Sequence, residues 1–92
     1  GEDAVFEVFK RVEASIAKSR AARDQERSAK RAAELASDRY GAGVATQLDV
    51  TEAQRDAFSA SAARIQADSD LAYYRAALRI AAGVPVSDRR AP

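Results

Sequence analysis

The stretch Arg39-Tyr-Gly-Ala-Gly-Val-Ala-Thr-Gln-Leu-Asp-Val50 lies at the centre of the chain and carries the signals that end one helix and begin another. Gly41 and Gly43 favour a helix end, because glycine adopts a positive φ without steric cost. Thr46 is a preferred N-cap residue, and Asp49 lies three positions later, where its carboxylate reaches back to the cap. The sequence therefore predicts an all-α fold: a long, antiparallel, coiled-coil-like two-helix hairpin. Its helices are expected over about residues 4–40 and 47–82, with a tip over residues 41–46.

The composition excludes several classes of function. The 92 residues suffice for one small domain, and a net charge of +1 leaves no excess of cations for a nucleic-acid partner. Cysteine and histidine are absent, so neither a disulfide, a zinc site nor a histidine acid–base pair is available. Asp68 and Asp70 are two positions apart on a helix and point to different faces. We expect no enzyme, no cofactor and no metal.

The first helix has an apolar stripe at its start and an alanine stripe near the tip. Val5, Phe9, Val12 and Ile16 recur at helical spacing. The same stripe then becomes polar, and apolar residues resume on a shifted face at Ala22, Ala29, Ala33, Ala36 and Tyr40. Lysines and arginines crowd the first half of the chain, but acidic residues are interspersed among them. This pattern is typical of a solvated helix face.

The second helix has two apolar lines. The main line alternates steps of four and three and consists of Ala53, Ala57, Ala60, Arg64, Ala67, Leu71, Tyr74, Leu78 and Ala81. The other line recurs every seven residues and consists of Thr51, Phe58, Ile65 and Ala72. Two lines imply neighbours on both sides, so the hairpin either dimerises into a bundle or forms one stave of a larger helical wall. The isolated chain is expected to self-associate.

Three further expectations concern Arg64 and the two ends of the chain. Arg64 lies inside the main line, where it either extends past the alanines or pairs with an acid on the facing arm, such as Asp24. Gly83 is a suitable residue to end the second helix, and Pro85 prevents its continuation. We expect Val84–Pro92 to be an extended exit, either a strand or a linker. The first residue is not Met, so we expect residues 1–92 to form a single segment of a longer precursor.

The central and C-terminal part of the sequence resembles the repeat of TolC-like outer-membrane efflux channels. The order is Arg-Tyr, a glycine, about five residues, Leu-Asp-Val with a following Ala-Gln, and then a long Ala/Leu helix that closes at glycine. The matching residues are Arg39, Tyr40, Gly43, Leu48, Asp49, Val50, Ala53, Gln54, Ile65, Ala67, Leu71, Tyr74, Leu78, Ala82 and Gly83. The resemblance is specific over residues 37–83, whereas the first helix matches only in character.

The resemblance implies a passive conduit in the periplasm of a Gram-negative bacterium. Such channels are trimers in which twelve helices surround a tunnel, attached to an outer-membrane β-barrel. The residues Gly41, Ala42, Gly43, Val44, Ala45 and Thr46 would form the tip that docks the hairpin of the periplasmic adaptor (membrane fusion) protein, which links the channel to an inner-membrane pump. Asp49 would lie at the entrance gate, with Arg39 and Tyr40 as cross-helix partners. Residues Ala53, Ala57, Phe58, Ala60, Ile65, Ala67, Leu71, Tyr74 and Leu78 would pack against neighbouring helices.

Two other functions fit a helical hairpin. One is the α-hairpin of the adaptor protein itself, although the spaced Arg, Leu and Ser set of adaptor tips is not found around residues 39–50. The other is a coiled-coil interaction module without a role in transport. Flanking sequence would separate these functions, because amphipathic strands and a second copy of the tip pattern favour the channel.

Overall fold

The predicted hairpin is confirmed. A computed structural model describes residues 2–83, in which α1 spans Glu2–Gly41 and α2 spans Gln47–Ala81. The two helices run antiparallel along a molecule 62 Å long. The predicted helix limits agree with these bounds to within two residues. Val84–Pro92, the predicted exit, lies outside the described residues.

Both helices end where the sequence predicts. Gly43 has a φ of +80° after α1, and Gly83 has a φ of +78° after α2, so each follows its helix in the left-handed conformation. Gly41, in contrast, belongs to the last turn of α1 and does not take a positive φ. The expectation that both glycines of the tip serve the turn by a positive φ is therefore met by Gly43 alone.

The face of α1 that contacts α2 is one continuous line, and we call the contact between the two helices the seam. It follows steps of three and four residues without the predicted shift of face, through Val5, Val8, Val12, Ser15, Ser19, Ala22, Glu26, Ala29, Ala33 and Ala36. Phe9 was expected in this line but is 46% exposed on its flank. The expectation of a shifted line was wrong because polar residues occupy the middle of the seam instead of interrupting it.

The seam face of α2 begins at Val50, which is buried. From there it follows the predicted main line: Ala60 and Ala67 are buried, and Ala53, Ala57, Arg64, Leu71, Tyr74 and Leu78 are half-buried. Ala81, the last member of the predicted line, is exposed. Alanines therefore form the seam near the tip, where short side chains let two helices approach closely, and larger side chains form it towards the open end.

Side-chain contacts between the arms fix their relative height. Ser19 and Arg23 of α1 both contact Asp68 of α2, and Glu26 contacts Arg64. Nearer the open end, the guanidinium of Arg11 lies 6.0 Å from the centre of the Tyr74 ring. These pairs define the register of the two arms.

Candidate functional site at the hairpin tip

The tip is a compact turn closed by backbone hydrogen bonds. The amide of Val44 donates to the carbonyl of Arg39 at 2.9 Å, and the amide of Gly43 donates to the carbonyl of Tyr40 at 3.0 Å. This pair of bonds around a left-handed glycine is the Schellman motif. The chain thus reverses without a long loop, and the tip has a shape set by its own backbone.

The second half of the tip is fixed by a complete capping box. The amide of Asp49 donates to Oγ1 of Thr46 at 3.1 Å, and the amide of Thr46 donates to Oδ2 of Asp49 at 2.9 Å. Hydrogen bonding by the backbone amide of Thr46, followed by its side chain, lowers the pKa of the Asp49 carboxyl. Asp49 is therefore a fixed negative charge at the start of α2. No hydrogen bond to its second carboxylate oxygen, Oδ1, occurs among the described residues.

The surface of the tip is largely exposed and partly apolar. Val44 is 72% exposed and Leu48 is 64% exposed, while Gly41, Ala42, Gly43 and Thr46 are also exposed and Ala45 is half-buried. Two branched apolar side chains thus project from a turn that its own hydrogen bonds hold in place. The tip therefore has a small apolar surface of fixed shape.

The three predicted gate residues lie together at the tip but do not pair with one another. Arg39 and Tyr40 are exposed, and neither donates a hydrogen bond to Asp49 among residues 3–83. Arg39 follows Ala32 by one heptad, and Asp49 precedes Asp56 by one heptad. Ala32 and Asp56 line the same groove, so Arg39 and Asp49 lie on the same broad face of the hairpin. Within this chain, their side chains remain available to a neighbouring helix.

The second apolar line of α2 lies on the surface, away from the seam. Phe58 is 77% exposed and Ile65 is 57% exposed, and Thr51 and Ala72 are exposed as well. The contact with α1 thus accounts for one of the two predicted lines. The other is an apolar face without a partner among the described residues.

A cluster of polar side chains crosses the middle of the seam, and the pairing of Arg64 with an acid of the facing arm is the only part of it predicted above. We call it the polar layer; its members are Ser19, Arg23, Glu26, Ser61, Arg64 and Asp68. Ser19 donates to Oδ1 of Asp68 at 2.6 Å, Arg23 donates to Oδ2 of Asp68 at 2.7 Å, and Nε of Arg64 lies 3.2 Å from Oε1 of Glu26. The layer therefore links α1 to α2 through two carboxylates.

The prediction that Arg64 pairs with an acid on the facing arm is confirmed, but the acid named for it, Asp24, is wrong. Asp24 is exposed and pairs with Arg27 on its own helix at 3.1 Å, whereas the acid that faces Arg64 is Glu26. Two positions along a helix rotate a side chain to roughly the opposite face, so only Glu26 lies on the seam. The continuous spacing from Ala22 to Glu26 to Ala29 was the signal that identifies it.

The charges of the polar layer stabilise one another. The adjacent Ser61 hydroxyl and then the Arg64 guanidinium lower the pKa of Glu26, and the Ser19 hydroxyl, followed by the charge of Arg23, lowers the pKa of Asp68. Both carboxyls are therefore ionised at neutral pH and face cations. The geometry suits structural pairing between the arms.

The described residues contain no group of carboxylates, histidines or cysteines arranged to hold a metal ion. Over the same part of the chain, neither helix has an apolar run sufficient to cross a membrane.

Comparison with known protein families gives one match. The model of a family described as "Outer membrane efflux protein" matches residues 3–84, which is most of the chain. No curated protein and no solved structure matches the chain significantly. The match covers α1 as well as the segment over which the sequence resembles TolC-like channels. It therefore supports the channel over an adaptor hairpin or a coiled-coil module.

Proposed function

Because the chain belongs to the outer membrane efflux protein family, we propose that its hairpin forms part of the periplasmic tunnel of a trimeric efflux or export channel. The family consists of transport channels of the outer membrane of Gram-negative bacteria, not of enzymes. Trimeric assembly is a property of the family. The hairpin is 62 Å long, and α2 has an apolar face that does not contact α1. Both features suit a hairpin that packs beside other helices in the wall of such a tunnel.

Cell fractionation tests this placement. An antibody raised against residues 3–83 should detect, in the outer-membrane fraction of source cells, a protein several times larger than this 9.9 kDa chain. The physical reason is that twelve helices around a tunnel, together with a barrel, require a much longer chain. A band of about the size of this chain in the cytoplasmic fraction would contradict the proposal.

The tip is the proposed docking surface for the adaptor hairpin, through which the channel would connect to an inner-membrane pump. The observation that supports this role is the exposure of Val44 and Leu48 on a turn fixed by the Schellman motif and the capping box. An exposed apolar pair on a preorganised backbone binds a partner with little loss of conformational entropy. The short side chains around Gly43 leave room for another helical tip to approach.

Substitution of the two tip glycines tests docking. In the full-length channel, Gly43→Val should reduce cross-linking to the adaptor and reduce efflux, because a β-branched residue cannot keep a φ of +80° without strain. Gly41→Ala is the matched control, since Gly41 is helical and nothing lies within 4 Å of an added Cβ. Wild-type cross-linking and efflux in the Gly43→Val channel would rule out a docking role for the turn.

A second proposed role of the tip is to close the tunnel entrance. Asp49 keeps its charge and one uncommitted carboxylate oxygen, and Arg39 and Tyr40 are exposed on the adjacent helix end. In a trimer, these groups would pair between neighbouring hairpins and hold the entrance narrow. The gate would open when those bonds break.

Two substitutions separate the gate from the helix cap. Asp49→Ala removes the charge and half of the capping box, whereas Thr46→Ala disrupts the same capping box and keeps the charge. If Asp49 closes the entrance, Asp49→Ala should raise single-channel conductance and antibiotic leak, and Thr46→Ala should not. Equal behaviour of the two variants would leave Asp49 with a capping role only.

A further inference from the structure

On one side of the seam, a groove runs between the arms from the polar layer towards the open end. We call it the arginine groove, and its walls come from residues 16–23 of α1 and 68–75 of α2. It has a volume of about 520 Å³ and is open to solvent. This volume lies within the range of about 300–1,000 Å³ in which proteins bind small organic ligands.

The inner wall of the groove is partly apolar. Ile16 and Leu71 line it and are half-buried, and Ala72 lies beside them with an exposed methyl group. The small side chain of Ala72 leaves space that a larger residue would fill. An apolar molecule placed against this wall would remove more of Ile16 and Leu71 from water, which is favourable.

The rim of the groove is cationic. Arg20 of α1 and Arg75 of α2 line it from opposite arms, both are exposed, and neither forms an ion pair within residues 3–83. A third arginine, Arg23, donates a hydrogen bond to Asp68, the carboxylate in the lining of the groove. Three guanidiniums against one carboxylate leave an excess of two positive charges.

The carboxylate of Asp68 is already engaged on both of its oxygens. Its Oδ1 accepts a hydrogen bond from Ser19 at 2.6 Å, and its Oδ2 accepts one from Arg23 at 2.7 Å and lies 3.4 Å from Nη1 of Arg64. The other two guanidiniums of the rim therefore have no anion from the lining of the groove. A guanidinium carries planar pairs of N–H donors that suit a carboxylate or a similar oxyanion.

The positive charge continues along α2 towards the open end. Arg79 lies one helical turn beyond Arg75 and thus on the same side of the helix. It forms no ion pair within the described part of the chain, and its Nε atom, which is buried, has no hydrogen-bond partner there. Arg79 therefore adds to the positive potential at this end of the groove.

Two other grooves between the arms differ from the arginine groove. The one at a similar height is less than half as large, at about 210 Å³, and Asp70 lines it beside Arg11 and Lys18. A groove of about 510 Å³ nearer the tip is lined by Asp56 and by no cation. Neither combines the size of the arginine groove with an excess of two positive charges.

We propose that the arginine groove binds an amphipathic organic anion, a molecule with an apolar body and a carboxylate, sulfate or sulfonate group. The apolar body lies against Ile16 and Leu71, and the anionic group binds the guanidiniums of Arg20 and Arg75 at the rim. The site requires neither the trimer nor the adaptor, so the inference goes beyond the tunnel proposed above. It demands both parts of the ligand, because the wall recognises the body and the rim recognises the charge.

A titration followed by nuclear magnetic resonance tests this site. Octyl sulfate is added to the ¹⁵N-labelled chain at concentrations below those at which micelles form. The amide signals of residues 16–23 and 71–75 should shift and saturate. Octyl glucoside has the same apolar tail without a charge, and inorganic sulfate has the charge without a tail. Each of these two should bind several-fold more weakly than octyl sulfate.

Substitutions at the rim identify the groups that bind the anion. Arg20→Gln and Arg75→Gln should each weaken the binding of octyl sulfate about two- to fivefold, as expected for the loss of an ion pair that is partly exposed. Arg31→Gln is the matched control, since Arg31 is exposed on α1, forms no ion pair within residues 3–83 and does not line the groove. It should leave the affinity unchanged. Circular dichroism should show the same helix content in all three variants.

Three results would overturn the proposal. Equal affinity for octyl sulfate and octyl glucoside would mean that apolar contact alone is responsible, and shifts centred on Phe58 and Ile65 would place that contact on the exposed apolar face of α2. Equal affinity for inorganic sulfate would mean that the rim binds charge alone, as it would bind an acidic side chain of another protein. Natural affinity in a chain that carries both Arg20→Gln and Arg75→Gln would exclude the groove.

The outcome is separable from that of the proposed function. If octyl sulfate does not bind but the parent protein fractionates with the outer membrane, the tunnel stands and the groove has no ligand of this class. If octyl sulfate binds but the parent is cytoplasmic, the site stands and the tunnel does not.

Discussion

The tip and the middle of the hairpin are stabilised in different ways. The tip is closed by hydrogen bonds between residues no more than five positions apart, such as Val44 with Arg39 and Thr46 with Asp49. The middle is held by side chains 38 to 49 positions apart, in the polar layer. Local bonds let the tip keep its shape while its surface is free for a partner. The arms, in contrast, depend on each other.

The seam near the tip separates these two regions and is where a single change should have the largest effect. Ala60 is 7% exposed and faces the alanine seam of α1, where Ala29 is also buried. Ala60→Leu should lower the free energy of unfolding by about 1–3 kcal/mol, because added methyl groups force apart two helices packed through alanines. Denaturant unfolding followed by circular dichroism measures this change.

Ala62→Leu is the matched control for overpacking, since Ala62 is exposed on the same helix. It should change the free energy of unfolding by less than about 0.5 kcal/mol, as exposed substitutions usually do. If both variants lost the same free energy of unfolding, the effect of leucine would not arise from packing in the seam. That result would contradict the view that close packing of alanines stabilises the arms.

The two glycines of the tip should respond to alanine in opposite directions. Gly43→Ala should lower the free energy of unfolding by about 1–2 kcal/mol, because a φ of +80° is a left-handed backbone conformation that is unfavourable for any residue with a Cβ. Gly41→Ala should raise the free energy of unfolding by up to about 1 kcal/mol, since Gly41 is helical and alanine favours helix. Nothing lies within 4 Å of either Cβ, so backbone conformation alone decides the sign. The melting temperature of the natural chain should lie between those of the two variants. A shift of the same sign in both variants would contradict this prediction.

The tip was predictable from the sequence because its determinants are local. The glycine after α1, the Thr46–Asp49 spacing and the limits of both helices follow from residue types a few positions apart. The main line of α2 was predictable from the sequence for the same reason, since its steps of four and three residues repeat within one helix. The proposed roles of the tip in docking and gating were suggested by the resemblance to a family, and the exposure of Val44 and Leu48 on a fixed turn supports the docking role.

Apart from the pairing of Arg64 with an acid on the facing arm, the polar layer was not predictable, because its members acquire partners only when the arms meet. In the sequence, Ser19 and Glu26 look like a break in the apolar line of α1, whereas the structure places them in the seam. A polar residue at a seam position is indistinguishable from an exposed one until the facing residue is known. The error in pairing Asp24 with Arg64 arose because the position of Asp24 along the helix axis was considered without the direction in which its side chain points around that axis.

Low pH should therefore destabilise the contact between α1 and α2 more than it destabilises the tip. The pKa values of Glu26 and Asp68 are lowered in the folded hairpin, so their pairing contributes stability above the ordinary carboxyl pKa of about 4 and loses it as the pH falls through the lowered values. The melting temperature should be constant between about pH 7 and 5 and should fall below about pH 4. Thermal melts at a series of pH values measure this dependence.

Replacement of single carboxyls identifies the region that senses acid. Asp68→Asn removes a titrating group that faces Ser19, Arg23 and Arg64. The variant should therefore have a lower melting temperature than the natural chain at neutral pH, and its melting temperature should fall less on acidification. Asp49→Asn removes the corresponding group at the tip, whose only partner in the described chain is Thr46. The melting temperature of this variant should depend on pH more nearly as that of the natural chain does, because Asp49 forms no ion pair among residues 3–83 and is more exposed than Asp68. If Asp49→Asn reduced the pH dependence of the melting temperature more than Asp68→Asn did, the tip would be the acid-sensitive region. The contact between the two helices would then be stabilised by the alanine seam and not by the polar layer.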